Sequence, residues 1–184
     1  MNQVWEAIRW CLDPSNWEGA SGLGARSLEH LGYTALALLI ASAIAVPVGW
    51  WVGHTGRGRG LAVAVSGAAR ALPTLGVVTL MGLLLGIGLA GPMTAFVVLA
   101  VPSILAAAYA GFEAVDRRII DAAQAQGMTG RQVLWRIEVP LGLPLLIGGL
   151  RSAALQVIAT GTLAAYVGAG GLGRFLFLGL KTQD

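Results

Sequence analysis

Residues 121–140 read DAAQAQGMTGRQVLWRIEVP, twenty mostly polar positions set between long apolar runs. Asp116, just upstream, can cap a helix whose first turn starts at Arg117, and Gly127 suits the left-handed residue that closes one. Thr129 and Gln132 have capping-box spacing for a second helix. The stretch thus predicts helix, sharp turn, helix: an elbow with Gly127 and Met128 at its bend. Ala122 and Ala123 predict a low-profile face that another surface can approach closely, and Met128 adapts to an imperfect pocket.

The surroundings are apolar. Of 184 residues, 56% are hydrophobic and only 11% charged, and the mean hydropathy is +0.73. A water-soluble domain carries about 25% charge, so the chain reads as a membrane protein. Crossing ~30 Å of hydrocarbon takes ~20 helical residues, a length reached by 31–53, 60–90, 93–112 and 139–167, while 172–180 is too short. Long apolar runs without ten-residue alternation exclude a β-barrel. The expectation is an all-α, polytopic transmembrane bundle of four complete spans plus the start of a fifth. Residues 1–30 form an interfacial amino-terminal segment and 31–184 the transmembrane domain.

The basic residues set the orientation. Arg57 and Arg59 follow the first span, and Arg117, Arg118, Arg131 and Arg136 follow the third, together half of the twelve basic residues. Loops 53–60 and 113–138 are therefore expected in the cytoplasm, and the amino terminus, with Glu6, Asp13, Glu18 and Glu29, outside. No secretory signal is visible ahead of the first span. Trp50 and Trp51 are expected as anchors at the headgroups. The second span, 31 residues and ~46 Å long, must tilt, extend or break, and Pro73 offers the break, leaving 74–90 as the crossing. A break at membrane depth is tolerated where it lines a cavity, which makes Pro73 and Thr74 candidate path residues.

Other chemistry fits poorly. Gly168 to Gly173 match G-x-G-x-x-G without the preceding strand that a dinucleotide site needs, and a tight turn explains them better. GHTGRGRG lacks the Lys-Ser/Thr of a phosphate loop. His30 and His54, expected at the interfaces, lie at opposite ends of one span and share no metal, and the acids cluster in linkers, so neither a metal site nor an enzyme is expected. No basic cluster on a soluble fold points to nucleic acid. Lone Cys11 allows no internal disulfide. Arg70 and Arg151 are costly inside a membrane and therefore functional candidates, with Arg70 also able to snorkel to the cytoplasmic surface. Gly148, Ser152, Gln156, Thr160 and Ala164 recur every four residues as one small or polar stripe, which packs or lines a path.

The elbow also carries a resemblance. D-A-A, three residues, Gly127, nine residues, I-x-V-P is similar to the EAA signature of ABC importer permeases, with Asp121 for the usual glutamate and Val139 for the leucine. ARALPTLGVV and AAYVGAGGLGRFLFLGL look like the permeases of glycine betaine, choline and carnitine uptake systems over about residues 30–184, and methionine-importer permeases are more distant relatives. The resemblance implies the type I permease fold. It also implies an ATPase-coupling role for Asp121, Ala122, Ala123, Gly127, Met128, Thr129 and Pro140, and a path candidates such as Arg70, Pro73, Thr74, Arg151, Ser152, Gln156 and Thr160 would line. The implied partners are two cytoplasmic ATP-binding subunits, which would hold ATP and Mg, a second permease copy or paralogue, an extracytoplasmic solute-binding protein and membrane lipid, in a bacterial inner membrane. Family members continue into a complete fifth helix, so an ending at Asp184 reads as a chain cut short. Methionine, another amino acid or a thiol-betaine stays open as cargo, as does an ATP-independent channel or secondary carrier, although acids are absent from the apolar interiors.

Overall fold

A computed structural model describes residues 2–182. They are helical throughout, with no strand among the described residues. Helix α1 (Asn2–Leu12) leads through a 3₁₀ turn, Pro14–Asn16, to α2 (Leu23–Thr55), and α3 (Arg59–Arg70) and α4 (Thr74–Leu85) follow. Helix α5 (Ala90–Glu113) enters the elbow, α6 (Arg117–Ala125) and α7 (Gly130–Val133). A π-helical turn, Leu134–Glu138, joins α7 to α8 (Val139–Gly161), which ends in a 3₁₀ turn, Thr162–Val167, before α9 (Gly173–Thr182).

Three helical segments are long and apolar enough to cross a membrane: Leu23–Thr55, Ala90–Glu113 and Gly130–Val167. The pair α3 and α4, bent by 93° at its break, is a fourth if taken as one broken span. Backbone amides in hydrocarbon must bond within their own segment, which is why apolar runs of this length fold as helices. The 33 residues of α2 rise ~50 Å, well beyond the hydrocarbon, and the boundary drawn after residue 30 falls inside this helix. Gly56, in the left-handed conformation at φ +68°, ends it.

Small residues hold the bundle together. Ala37, Ala41, Ala45, Gly49 and Gly53 recur every four residues on α2, and all are buried. A Cβ on Gly49 would sit 2.5 Å from Cβ of Ala108 on α5, and one on Gly53 2.7 Å from Cβ of Phe112. On the other side of α5, a Cβ on Gly111 would lie 2.7 Å from the Gly142 carbonyl oxygen of α8. Lipid gives apolar side chains no reason to leave it, so helices associate in a membrane through close backbone approach, which these residues allow.

Three expectations need correction. The break at Pro73 is present, but 74–90 is not a continuous crossing: α4 ends at Leu85, and Gly86 and Gly88, both at positive φ, turn the chain into α5. Each 12-residue half rises only ~18 Å. Trp51 is exposed as an anchor would be, but Trp50 turns inward, stacking on Phe112 at 5.9 Å and meeting Trp135 edge-on at 5.8 Å. His30 is buried rather than at an interface, with Nε2 2.9 Å from the Ile158 carbonyl.

At that end of the bundle, Glu29 accepts bonds from Arg26 at 2.7 Å, the Tyr33 hydroxyl at 2.5 Å and the Gly171 amide at 2.8 Å. The glycines 168–173 are a turn, with Gly168 at φ +85° and Gly171 at φ +81°. Trp10 of α1 meets Phe175 of α9 edge-on at 5.4 Å.

Gly111→Val is expected to destabilise the solubilised protein by at least about 1–3 kcal/mol, the usual cost of overpacking, whereas Gly148→Ala, whose Cβ meets nothing within 4 Å, should have little effect. Thermal unfolding in detergent compares the two.

Candidate functional site

The elbow forms as its local chemistry dictates. Asp116 Oδ1 accepts the Arg118 amide at 2.9 Å and opens α6. The chain reverses at Gly127, φ +84°, a conformation that costs residues with a Cβ about 1–2 kcal/mol. The Thr129 amide then donates to Gln132 Oε1 at 2.8 Å, the Gln132 amide to Thr129 Oγ1 at 3.4 Å, and this capping box opens α7.

Val115, Ile120, Ala123 and Val133 form a small core of their own, flanked by Met128 and Ile137 and separate from that of the bundle. Ala123 and Met128 thus serve the elbow's interior; of the expected low-profile face Ala122 stays exposed, as do Asp121, Gly127 and Thr129 of the expected coupling residues. A Cβ on Gly127 would meet nothing within 4 Å. The tip is open.

The second arm of the elbow does not stop before the fourth span. Gly130 to Val167 is one helical run of 38 residues, longer than the 139–167 expected. Pro140, exposed in the first turn of α8, has no amide to give the carbonyl four residues earlier, and the π turn immediately before it widens the helix to accommodate that.

Glu138, 2% exposed, lies in this turn and is hydrogen-bonded to Nδ1 of His54, in the last turn of α2. His54 is therefore an inter-helix tie in the last turn of its span, with its side chain 32% exposed, and an acid does lie buried there. Nearby, Arg59 Nε and Glu113 Oε1 pair at 2.7 Å, joining the start of α3 to the end of α5. Sequence reasoning missed Glu138, which follows Ile137 with nothing local to mark it as buried.

Above the elbow lies a second feature, a cavity of about 720 Å³ lined among others by Arg70, Ser103, Tyr109, Pro144, Gly148 and Ser152. Of the candidate path residues, Arg70 and Ser152 line it, and Gln156 lies beside it, accepting from Ser103 Oγ at 3.5 Å. Arg70 lines this cavity beside α5 and is itself exposed. Thr160 is buried and bonds the Gln156 carbonyl of its own helix at 2.8 Å. Pro73, Thr74 and Arg151 are not among the lining residues. The four-residue stripe on α8 divides: Gly148 and Ser152 face the cavity, while Thr160 and Ala164 are packed. Ser103 and Tyr109 were missed, and their signal was a hydroxyl and a phenol inside the otherwise apolar third span.

The described residues thus form an all-helical bundle with a polar helical elbow between two of its apolar segments. The chain belongs to the family of binding-protein-dependent transport system inner membrane components, which matches residues 45–184. It is 32% identical over 187 aligned residues to the osmoprotectant import permease protein OsmW of Salmonella typhimurium, covering 97% of this chain and 83% of that one. It is 31% identical to the carnitine transport permease protein OpuCB of Listeria monocytogenes, covering 89% and 75%. Among solved structures, an inward-facing form of the MetNI methionine ABC transporter superposes with a TM-score of 0.75 at 22% identity, covering 85% of this chain and 79% of that one.

The protein is accordingly a non-catalytic, multi-pass inner-membrane permease subunit of an ABC transporter, a family that works with ATP-binding subunits and a binding protein.

Replacing His54 by alanine leaves Glu138 buried without its partner, expected to cost about 1–3 kcal/mol, whereas Glu138→Ala leaves a His54 side chain that is 32% exposed and should cost less. The double variant should cost less than the sum of the two, and a double-mutant cycle on thermal unfolding of the solubilised subunit measures the coupling.

Proposed function

We propose that this chain is the permease subunit of an ATP-driven importer for quaternary-ammonium osmoprotectants of the glycine betaine, carnitine and choline class. It makes four crossings, the second broken at Pro73, and begins a fifth at Gly173. The segment ahead of α2 lies outside and the loops 53–60 and 113–138 inside. The permease domain, 31–184, pairs with a second permease subunit, and the solute path runs between them from a binding protein at the outer face. Two ATP-binding subunits hold ATP and Mg and grip one elbow each.

The observation that carries this reading is the construction of the elbow: an exposed tip at Gly127 with its own small core, continuous through one helical run with α8. Force applied at such a tip reaches the bundle without a flexible linker. The cargo class is supported by the names of the relatives at 30–32% identity, which transport glycine betaine, carnitine, choline or osmoprotectants. Likeness to the methionine transporter at 22% identity concerns the fold alone and does not favour methionine.

Gly127→Arg is expected to abolish uptake of radiolabelled glycine betaine in cells expressing the complete transporter, and to lose the ATP-binding subunit on affinity purification, with the permease still in the membrane fraction. Normal uptake by that variant, or a wild-type permease that purifies with no ATP-binding subunit, would overturn the reading.

A further inference from the structure

The cavity beside α5 and α8 contains a charge without a counter-charge. Arg26 and Arg59 each pair with a glutamate at 2.7 Å, whereas no carboxylate lies within ion-pair distance of Arg70 among the described residues, and no acidic side chain is among those lining the cavity. The lining runs along α5 from Ser103 to Ala110 and along α8 from Ser152 to Pro144, so it extends from the middle of both helices toward the elbow. A guanidinium is always charged, offers five donors in a planar fork and matches a carboxylate with two parallel bonds. Arg70 is exposed to the cavity's open side, and the cavity offers it no acidic partner.

Tyr109 supplies the second element. A quaternary ammonium has no N–H to donate and is recognised by the face of an aromatic ring. Tyr109 is the aromatic residue of the lining, and Ala106, Ala107, Gly148 and Gly149 leave the surrounding walls low. At about 720 Å³ the space is within the range of small-molecule sites and open on one side.

We propose that this cavity is a solute-binding site within the permease, in which Arg70 takes the carboxylate and Tyr109 the quaternary ammonium of a zwitterionic osmolyte. The membrane path itself then favours glycine betaine and carnitine over choline, a cation without a carboxylate. The inference deepens the functional reading above and rests on it. An unpaired guanidinium discriminates twice, since it bonds the zwitterion's carboxylate and repels a bare cation.

The test is uptake of glycine betaine, carnitine and choline by the complete transporter with one unchanged binding protein, so that the binding protein's own preference cancels between variants. Arg70→Gln is expected to lower uptake of the two zwitterions about ten- to hundredfold and to change choline uptake by less than about twofold or raise it, as loss of a charge-assisted carboxylate contact predicts. Tyr109→Leu should lower all three, and Tyr109→Phe should restore them.

Equal losses of all three solutes in an Arg70→Gln variant that still purifies with its ATP-binding subunits would overturn the site, as would no loss. If that variant does not assemble, the wild-type complex decides. Site-resolved mass spectrometry should find phenylglyoxal labelling of Arg70 slowed by glycine betaine and not by choline, and equal labelling with both overturns the proposal. A wild-type transporter that carries none of the three solutes would overturn the functional reading and this inference with it.

Discussion

Close approach of α2, α5 and α8 is the constraint on which the rest of the structure depends. In water, burial of large apolar side chains drives such packing, but in lipid those side chains are already solvated, and contact must come from backbones brought near one another. The buried core shows the consequence, because alanines outnumber every other residue in it, and the inward face of α2 is an alanine and glycine ladder. Leucines and isoleucines such as Leu39, Ile44 and Leu155 are pushed outward, to the surface that faces lipid or another subunit. Because the contacts are nearly backbone to backbone, the three helices leave each other little room for rotation.

At one end of that packed trio, contacts between distant segments accumulate. Trp50 stacks on Phe112 and abuts Trp135, His54 bonds Glu138, and Arg59 pairs with Glu113. They join the ends of α2 and α5, the start of α3 and the π turn below α8. Glu138 is nearly inaccessible, so its bond to His54 is formed where water competes least and is worth more than an exposed pair. The elbow emerges from this braced region, and its own core keeps its two arms at a fixed angle. It is a folded helical projection rather than an extended loop.

What was legible in the sequence was local. The caps at Asp116 and Thr129, the reversal at Gly127 and the break at Pro73 are short-range chemistry, decided by residues within four positions of one another, and the long apolar runs give the helices by the hydrogen-bond rule alone. What escaped depended on rotation and on neighbours from other segments. Trp50 and Trp51 look alike as adjacent residues, yet at about 100° per residue one turns inward and the other outward. Ala123 belongs to a motif that suggested a docking surface, but its side chain closes the elbow's core. The ladder from Ala37 to Gly53 was present in the sequence as a four-residue period of small residues and would have identified the inner face of α2. The pairing of His54 with Glu138, 84 positions apart, left no such period.

The two candidate sites are mechanically one. Cavity walls come from α5, through Ser103 and Tyr109, and from α8, through Pro144, Gly148 and Ser152. Helix α6 begins four residues after α5 ends, and α8 continues the helical run that starts in the elbow at Gly130. Arg70 reaches the cavity from α3, whose first residue is pinned to the last residue of α5 by the Arg59–Glu113 pair. Each side of the space therefore traces back to the same braced end, and a displacement of the elbow relative to α2 has to appear as relative motion of the walls or as a broken contact. Coupling between distant sites needs an element whose arrangement both sites bias, and under the proposed function that element would be α5 and α8, the helices the elbow and the cavity share. At Pro73, by contrast, α3 and α4 meet at 93° with no continuous backbone ladder across the junction.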